Sequence, residues 1–168
     1  TRRAAQPKRV TPASLSARLA SNSRLLAISV NAFEKLSKKL DRIPHVLSVL
    51  DRDGIVLYST GTTGMARREH RLPGADWSKD IRGLSSAARA LAAGVPVAVV
   101  GAFDLAGTAE PRIRSACPAR LSDKSIVGAL NPTMEVIRAK PHHMLDLCSL
   151  ARRGCKVIEN GPPGTPGK

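Results

Sequence analysis

A length of 168 residues suits one domain with short extensions, and 42% apolar residues suit a packed core rather than a disordered chain. Aromatics make up only 2%, so that core must come from Leu, Val, Ile and Ala, while the net charge of +14 leaves an acidic partner such as nucleic acid open. Three cysteines, an odd number, argue against a disulfide framework, and no run of about 18 apolar residues is present to span a membrane.

Thr1 to Val10 is basic with no apolar period and reads as an unstructured arm. From Thr1 to Arg42 ten Lys/Arg face two acids, so this segment carries +8 of the +14. Its start lacks the apolar run of a signal peptide, and a reduced, cytoplasmic setting is the expectation. Thr11-Pro12 reads as an N-cap followed by proline at the first helical position. Leu15, Leu19, Leu26, Val30, Phe33 and Leu40 keep one helical face apolar, with a possible break at Ser21-Asn22-Ser23 where Ser23 would cap a second helix. Lys35, Lys38, Lys39 and Arg42 fall on the other faces, as a solvated surface or a nucleic-acid patch. Ile43-Pro44 ends the helix.

His45 to Leu50 reads as a buried strand, Asp51-Arg52-Asp53-Gly54 as a turn and Ile55 to Ser59 as the returning strand of a hairpin. Asp51 and Asp53 open like a calcium loop, but Thr62 stands where such a loop needs glutamate. Gly61 to Arg71 is a polar loop or short helix around Met65 to His70. Leu72 to Ser78 holds the one tryptophan, Trp77, behind a Pro-Gly turn signal. A small-residue helix follows from Ser85 to Ala93, capped by Ser85 or Ser86 and stopped by Gly94. Val95 to Val100 is a strand, Gly101 to Pro111 a loop, Arg112 to Arg120 a weakly alternating segment and Ser125 to Leu130 a strand stopped by Asn131-Pro132. A last helix runs from about Pro141 to Asn160. These elements predict an α+β domain in which an antiparallel sheet is flanked by helices.

Several residues together resemble a known family. Gly74, Trp77 and Ser78, then Gly83, Ala90 and Leu91, then Gly94, Pro96, Val97, Val99 and Gly101 follow the order of motifs in a GAF domain. The closest pattern is the sensor domain of sigma-54-dependent activators of the acetoin-catabolism-regulator type. Ser115 to Pro118, Gly128 to Thr133, Pro141-His142 and Val157 to Asn160 continue it. Lys79, Leu84 to Ser86, Ala88, Phe103-Asp104, Arg114 and Lys124 depart from it, mostly around the pocket such a domain would have. The resemblance implies a GAF-like sheet of about five to six strands between N- and C-terminal helices. It implies a sensor domain over residues 23–160, after a basic arm and short helix over 1–22 and before a Pro/Gly-rich tail over 161–168.

Candidate ligand-binding residues are Asp76, Trp77, Ser78, Arg82, Ser85, Phe103, Asp104, Arg114 and Cys117. Trp77 can wall a ligand or pin its loop to the core; Asp76, Ser78, Arg82 and Ser85 can orient a polar ligand or serve as turn and capping residues. Phe103 and Asp104 follow a strand end and can line a pocket mouth or an ordinary loop. Arg114 is costly to bury unpaired, so it points to solvent or binds an acid of the protein or of a ligand. Cys117, Cys148 and Cys155 lack the ligand spacing of a zinc site, and nothing marks Cys117 as a reactive thiol. The Gly161–Lys168 tail lacks the Ser/Thr and spacing of a phosphate-binding loop.

The expectation is therefore a non-enzymatic sensor domain without cofactor or metal, with a small-molecule effector bound between the sheet and the Gly74–Leu91 loop and helix. The family implies a homodimer through terminal helices, and contact with DNA and sigma-54 RNA polymerase only through modules that this chain does not contain. The alternative is a basic nucleic-acid-binding module, or a purely dimerising one without ligand.

Overall fold

Thr11 caps the first helix, α1 (Pro12–Ser21), by accepting a hydrogen bond from the Ser14 amide at 3.2 Å, and Pro12 fills a position where no N–H is needed. A computed structural model describes residues 7–40, 42–79, 85–101 and 111–136, together with Ser149. A second helix, α2 (Ser23–Lys39), follows at once. The break falls where the sequence places it, but Ser23 is the first residue of α2 and not its cap. Asn22 stands at the junction and closes α1, its side-chain amide donating to the Arg18 carbonyl at 2.8 Å.

Five strands follow: β1 (His45–Asp51), β2 (Val56–Gly61), β3 (Val97–Gly101), β4 (Arg112–Arg120) and β5 (Ile126–Glu135). Between β2 and β3 lie a one-turn helix, α3 (Met65–Arg68), and the small-residue helix α4 (Ser86–Ala93). Ser85 caps α4 through the Ala88 amide at 3.0 Å, and Gly94 ends it in the left-handed region at φ +68°, where a Cβ would be strained. The strands form one sheet in the order β2-β1-β5-β4-β3, antiparallel at every pairing. This is the α+β architecture expected, an antiparallel sheet flanked by helices; the helix expected over Pro141–Asn160 lies outside the described residues apart from Ser149.

Strand alternation gives the sheet two faces. One packs Leu47, Val49, Leu57, Ile113, Cys117, Leu130 and Met134 against Leu25, Phe33, Leu36 and Leu40 of α2 and its end. Each such side chain fully removed from water contributes about 1.5–3 kcal/mol. The buried face of α2 runs through Leu25, Ser29, Phe33 and Leu36, whereas Leu26 and Val30, expected there, are only half-buried. The other face carries Leu50, Val56 and Ala116, which pack with Ala75, Trp77, Ala87 and Ala90 of the loop and helix that cover it.

Two expectations meet a correction. Asn131-Pro132 does not stop the last strand, which continues to Glu135. Pairing of β4 with β5 is registered at Arg114↔Thr133 and Cys117↔Leu130, and between them Pro132 has no N–H to give. The Asn131 side-chain amide donates to the Ser115 carbonyl instead, so the strand passes through the proline. The basic N-terminal segment is also not wholly an arm. Arg9 bridges Ala75, the Val10 amide donates to the Gly74 carbonyl at 2.9 Å and the Asp76 amide to the Lys8 carbonyl at 2.8 Å.

Candidate functional site

The loop that carries Trp77 is held from both sides by backbone. Gly74 donates to the Val56 carbonyl at 2.7 Å, and Trp77 donates to the Gly54 carbonyl at 2.9 Å. Gly54 has φ +84°, and a Cβ on it would lie 2.8 Å from the Ser78 backbone, so the Asp-Gly turn of the first hairpin is also the seat of the Trp77 loop. Trp77 is only 2% exposed, and its indole N–H donates to the His70 carbonyl at 2.9 Å. The indole therefore offers a wall and no free donor. Against its face, 3.8 Å from the ring centroid, lies the guanidinium of Arg71.

Arg71 is 1% exposed, and none of its three guanidinium nitrogens has a hydrogen-bond partner. Burial pulls its pKa down from the usual arginine value to about 9, the nearby Arg114 charge adds to that effect and Glu69 opposes it. Glu69, just past α3, is itself buried and fully engaged. Its two oxygens accept from Arg112 Nε at 2.9 Å and from Arg114 Nη2 at 3.0 Å. Arg112 also pairs with Glu135 at 3.1 Å. Arg112 and Arg114 stand two apart on β4 and so project from the same face as Ala116. Beside them on β5 come Thr133, in register with Arg114, and Asn131. Asn131 donates to Ser86 Oγ at 2.9 Å, while its Oδ1 and the Thr133 hydroxyl have no partner.

This sheet face thus has an apolar end under Ala87 and Ala90 and a buried, cationic end, with Trp77 touching both. Of the residues singled out from sequence, the structure brings Trp77, Ser85 and Arg114 to this layer. Ser85 is fully buried, caps α4 and donates to the Trp77 carbonyl at 3.4 Å. Arg114 is buried and binds an acid of the protein, Glu69. Asp76 and Ser78 form a turn at the outer side of the loop, the Asp76 carboxylate accepting from the Ser78 amide at 2.9 Å, and Ser78 is exposed. Cys117 packs on the opposite face, in the layer under α2. Arg82, Phe103 and Asp104 lie outside the described residues. Arg71, Glu69, Arg112, Asn131 and Thr133 were not singled out from the sequence. The alternation Arg112-Ile113-Arg114 in a strand was the one signal that two cations share a face.

A separate open groove of about 630 Å³ lies beside α1, lined by residues that include Ser14, Arg18, Asn22, Asp51, Asp53 and Val127. Within it Arg18 pairs with Asp51 and, at 2.9 Å, with Asp53, and these bonds, the one to Asp51 first, hold Arg18 more firmly protonated. Asp51 also accepts from the Asp53 and Ile55 amides at 3.0 Å, so it organises the hairpin turn. Among the described residues no group of three or more His, Cys, Asp or Glu could hold a metal ion, and no helix is long and apolar enough to cross a membrane.

No family model and no curated protein matches the chain. Solved structures do. A chain of the E. coli DhaR(N)–DhaL complex aligns over 93% of this chain with a TM-score of 0.78 at 14% identity. This chain spans only 55% of that one. A putative IclR transcriptional regulator from Silicibacter sp. TM1040 aligns over 92% of this chain and 75% of its own, with a TM-score of 0.53 at 15% identity. The fold is shared with these two chains. At these identities the likeness speaks for the fold and not for the ligand. A GAF domain/HD domain protein from Geobacter sulfurreducens aligns more loosely, over 80% of this chain and 95% of its own, with a TM-score of 0.48 at 17% identity.

Proposed function

We propose that this chain is a non-enzymatic sensing domain of a bacterial transcription regulator, similar to the GAF sensors of sigma-54-dependent activators. Its small organic effector binds in the layer between the sheet and the Trp77 loop with α4. The observation that carries this reading is the buried Arg71, which is stacked on Trp77 and has no hydrogen-bond partner. A fold that only needed to close its core would place an apolar side chain there, because an unpaired buried charge is costly. Effector binding favours the conformation in which the Trp77 loop and α3 close on the sheet, and that bias passes to the terminal helices. The chain works as a homodimer through those helices, and DNA and polymerase are contacted by other modules.

A panel of small alcohols, ketones, aromatics and organic acids tests this reading through Trp77 fluorescence and melting temperature. A saturable response to at least one class supports it; silence across the panel overturns it. The structural likeness to a chain of the DhaR(N)–DhaL complex favours a second reading, in which the domain docks a protein and not a metabolite. A domain that ignores the panel but co-purifies with a partner protein supports that alternative.

A further inference from the structure

The chemistry around Arg71 narrows the effector class. Glu69 is the carboxylate that faces Arg71, and both of its oxygens are engaged by Arg112 and Arg114. Arg71 therefore has five N–H donors in a planar fork with no acceptor, and Arg114 Nη1 is likewise without one. Arg114 is close enough for its charge to disfavour the charge on Arg71. Among the described residues of this cluster, Arg71, Arg112 and Arg114 face Glu69 and Glu135, which leaves one positive charge over. The unpartnered Asn131 Oδ1 and Thr133 Oγ1 lie on the same face of the sheet as Arg114. The Trp77 ring and the apolar end under Ala87 and Ala90 adjoin it.

Resting on the sensing function proposed above, we propose that the effector is a small organic monocarboxylate, its carboxylate held by the Arg71 guanidinium beside Arg114 and its carbon skeleton against Trp77. A guanidinium and a carboxylate match in geometry, with two parallel N–H···O bonds, and one negative charge balances the cluster. Inorganic phosphate brings the charge without a hydrocarbon part, and a dianion would exceed the one positive charge left over among the described residues of the cluster. Asn131 and Thr133 would recognise a hydroxyl or keto oxygen near the carboxylate.

The test uses the chain itself with acetate, propionate, pyruvate and benzoate, each beside an uncharged or purely inorganic control: acetamide, propionamide, benzamide, phosphate and sulfate. Melting temperature and the fluorescence of Trp77, the chain's one tryptophan, are read together. The expected result is a saturable shift from one or more carboxylates and none from its amide. Arg71→Met should weaken that binding roughly ten- to hundredfold, and Arg71→Lys by less, since it keeps the charge without the fork. If Arg71→Met fails to fold, Arg71→Lys carries the comparison. Equal responses to an acid and its amide overturn the carboxylate assignment while leaving the sensing function standing. A response to phosphate or sulfate matching that of the acids shows an inorganic anion site and also overturns it. A carboxylate response that survives both substitutions removes Arg71 from the site. A response to alcohols or ketones with none to any acid overturns the inference but not the sensing function; no response to anything overturns both.

Discussion

On one face of the sheet Leu47, Val49, Leu130 and Met134 meet Phe33 and Leu36 of α2 in a mainly apolar layer. On the other, Ser48, Asn131, Thr133 and Arg114 come up from the same strands, one residue out of phase, beneath Trp77, Arg71 and α4. Both faces are buried. The first gains stability from every side chain, at about 25 cal/mol per Å² of apolar surface covered. The second buries three arginines and gives one of them no partner, which costs stability. The contrast separates what holds the domain together from what the domain holds in readiness.

Removing the anion that orders the cationic end breaks the contrast most severely. Glu69→Gln takes the shared partner from Arg112 and Arg114, leaving buried cations facing one another, and should lower stability to urea by about 3–5 kcal/mol. Leu47→Ala opens a cavity in the apolar layer and should cost about 2–5 kcal/mol in the same assay while leaving any effector affinity within twofold of wild type. Loss of effector binding in Leu47→Ala, with the fold intact, would show that the two faces are not separable. Cys117→Ala trims a buried thiol from the α2 side and should cost about 1 kcal/mol, with Trp77 fluorescence and its response to ligands unchanged. A changed response would place Cys117 within reach of the effector layer.

Much of the fold is written in local signals. The Thr11-Pro12 start, the Asp51–Gly54 turn, the Ser85 cap and the Gly94 stop each depend on a few adjacent residues, and the structure places each as read. The face of α2 was harder, because Leu25 and Leu26 both fit a wide apolar stripe, and a buried serine, Ser29, sits on the face that packs. Pro132 misled for a different reason. The rule that proline ends a strand is local, whereas the Asn131 amide that stands in for the missing N–H reaches across to β4. The cationic cluster was barely legible. A charge in a sequence reads as solvent-facing, and only the tertiary meeting of the His70–Arg71 turn, β4 and β5 encloses Arg71, Arg112 and Arg114 together. For Arg114 the sequence left solvent or an acid open; that it binds Glu69, 45 residues away, no spacing rule could say.

The stability of ligand-free Arg71→Met against wild type tests the central claim most directly. Arg71 is faced by Glu69 after α3, by Arg114 of β4 and by the Trp77 ring. Replacing its charge with an apolar side chain of similar length should raise stability by about 1–3 kcal/mol near neutral pH. The gain should also follow pH with a definite sign. The folded-state pKa of Arg71 is depressed to about 9, well below the usual arginine value, so between the two the unfolded chain keeps a proton that the folded one releases. The wild type's deficit is therefore full below about pH 9 and shrinks as pH rises above it. A variant that unfolds more readily than wild type at neutral pH would contradict the account, because Arg71 would then be a structural group whose charge the fold needs, not one held in reserve for a ligand.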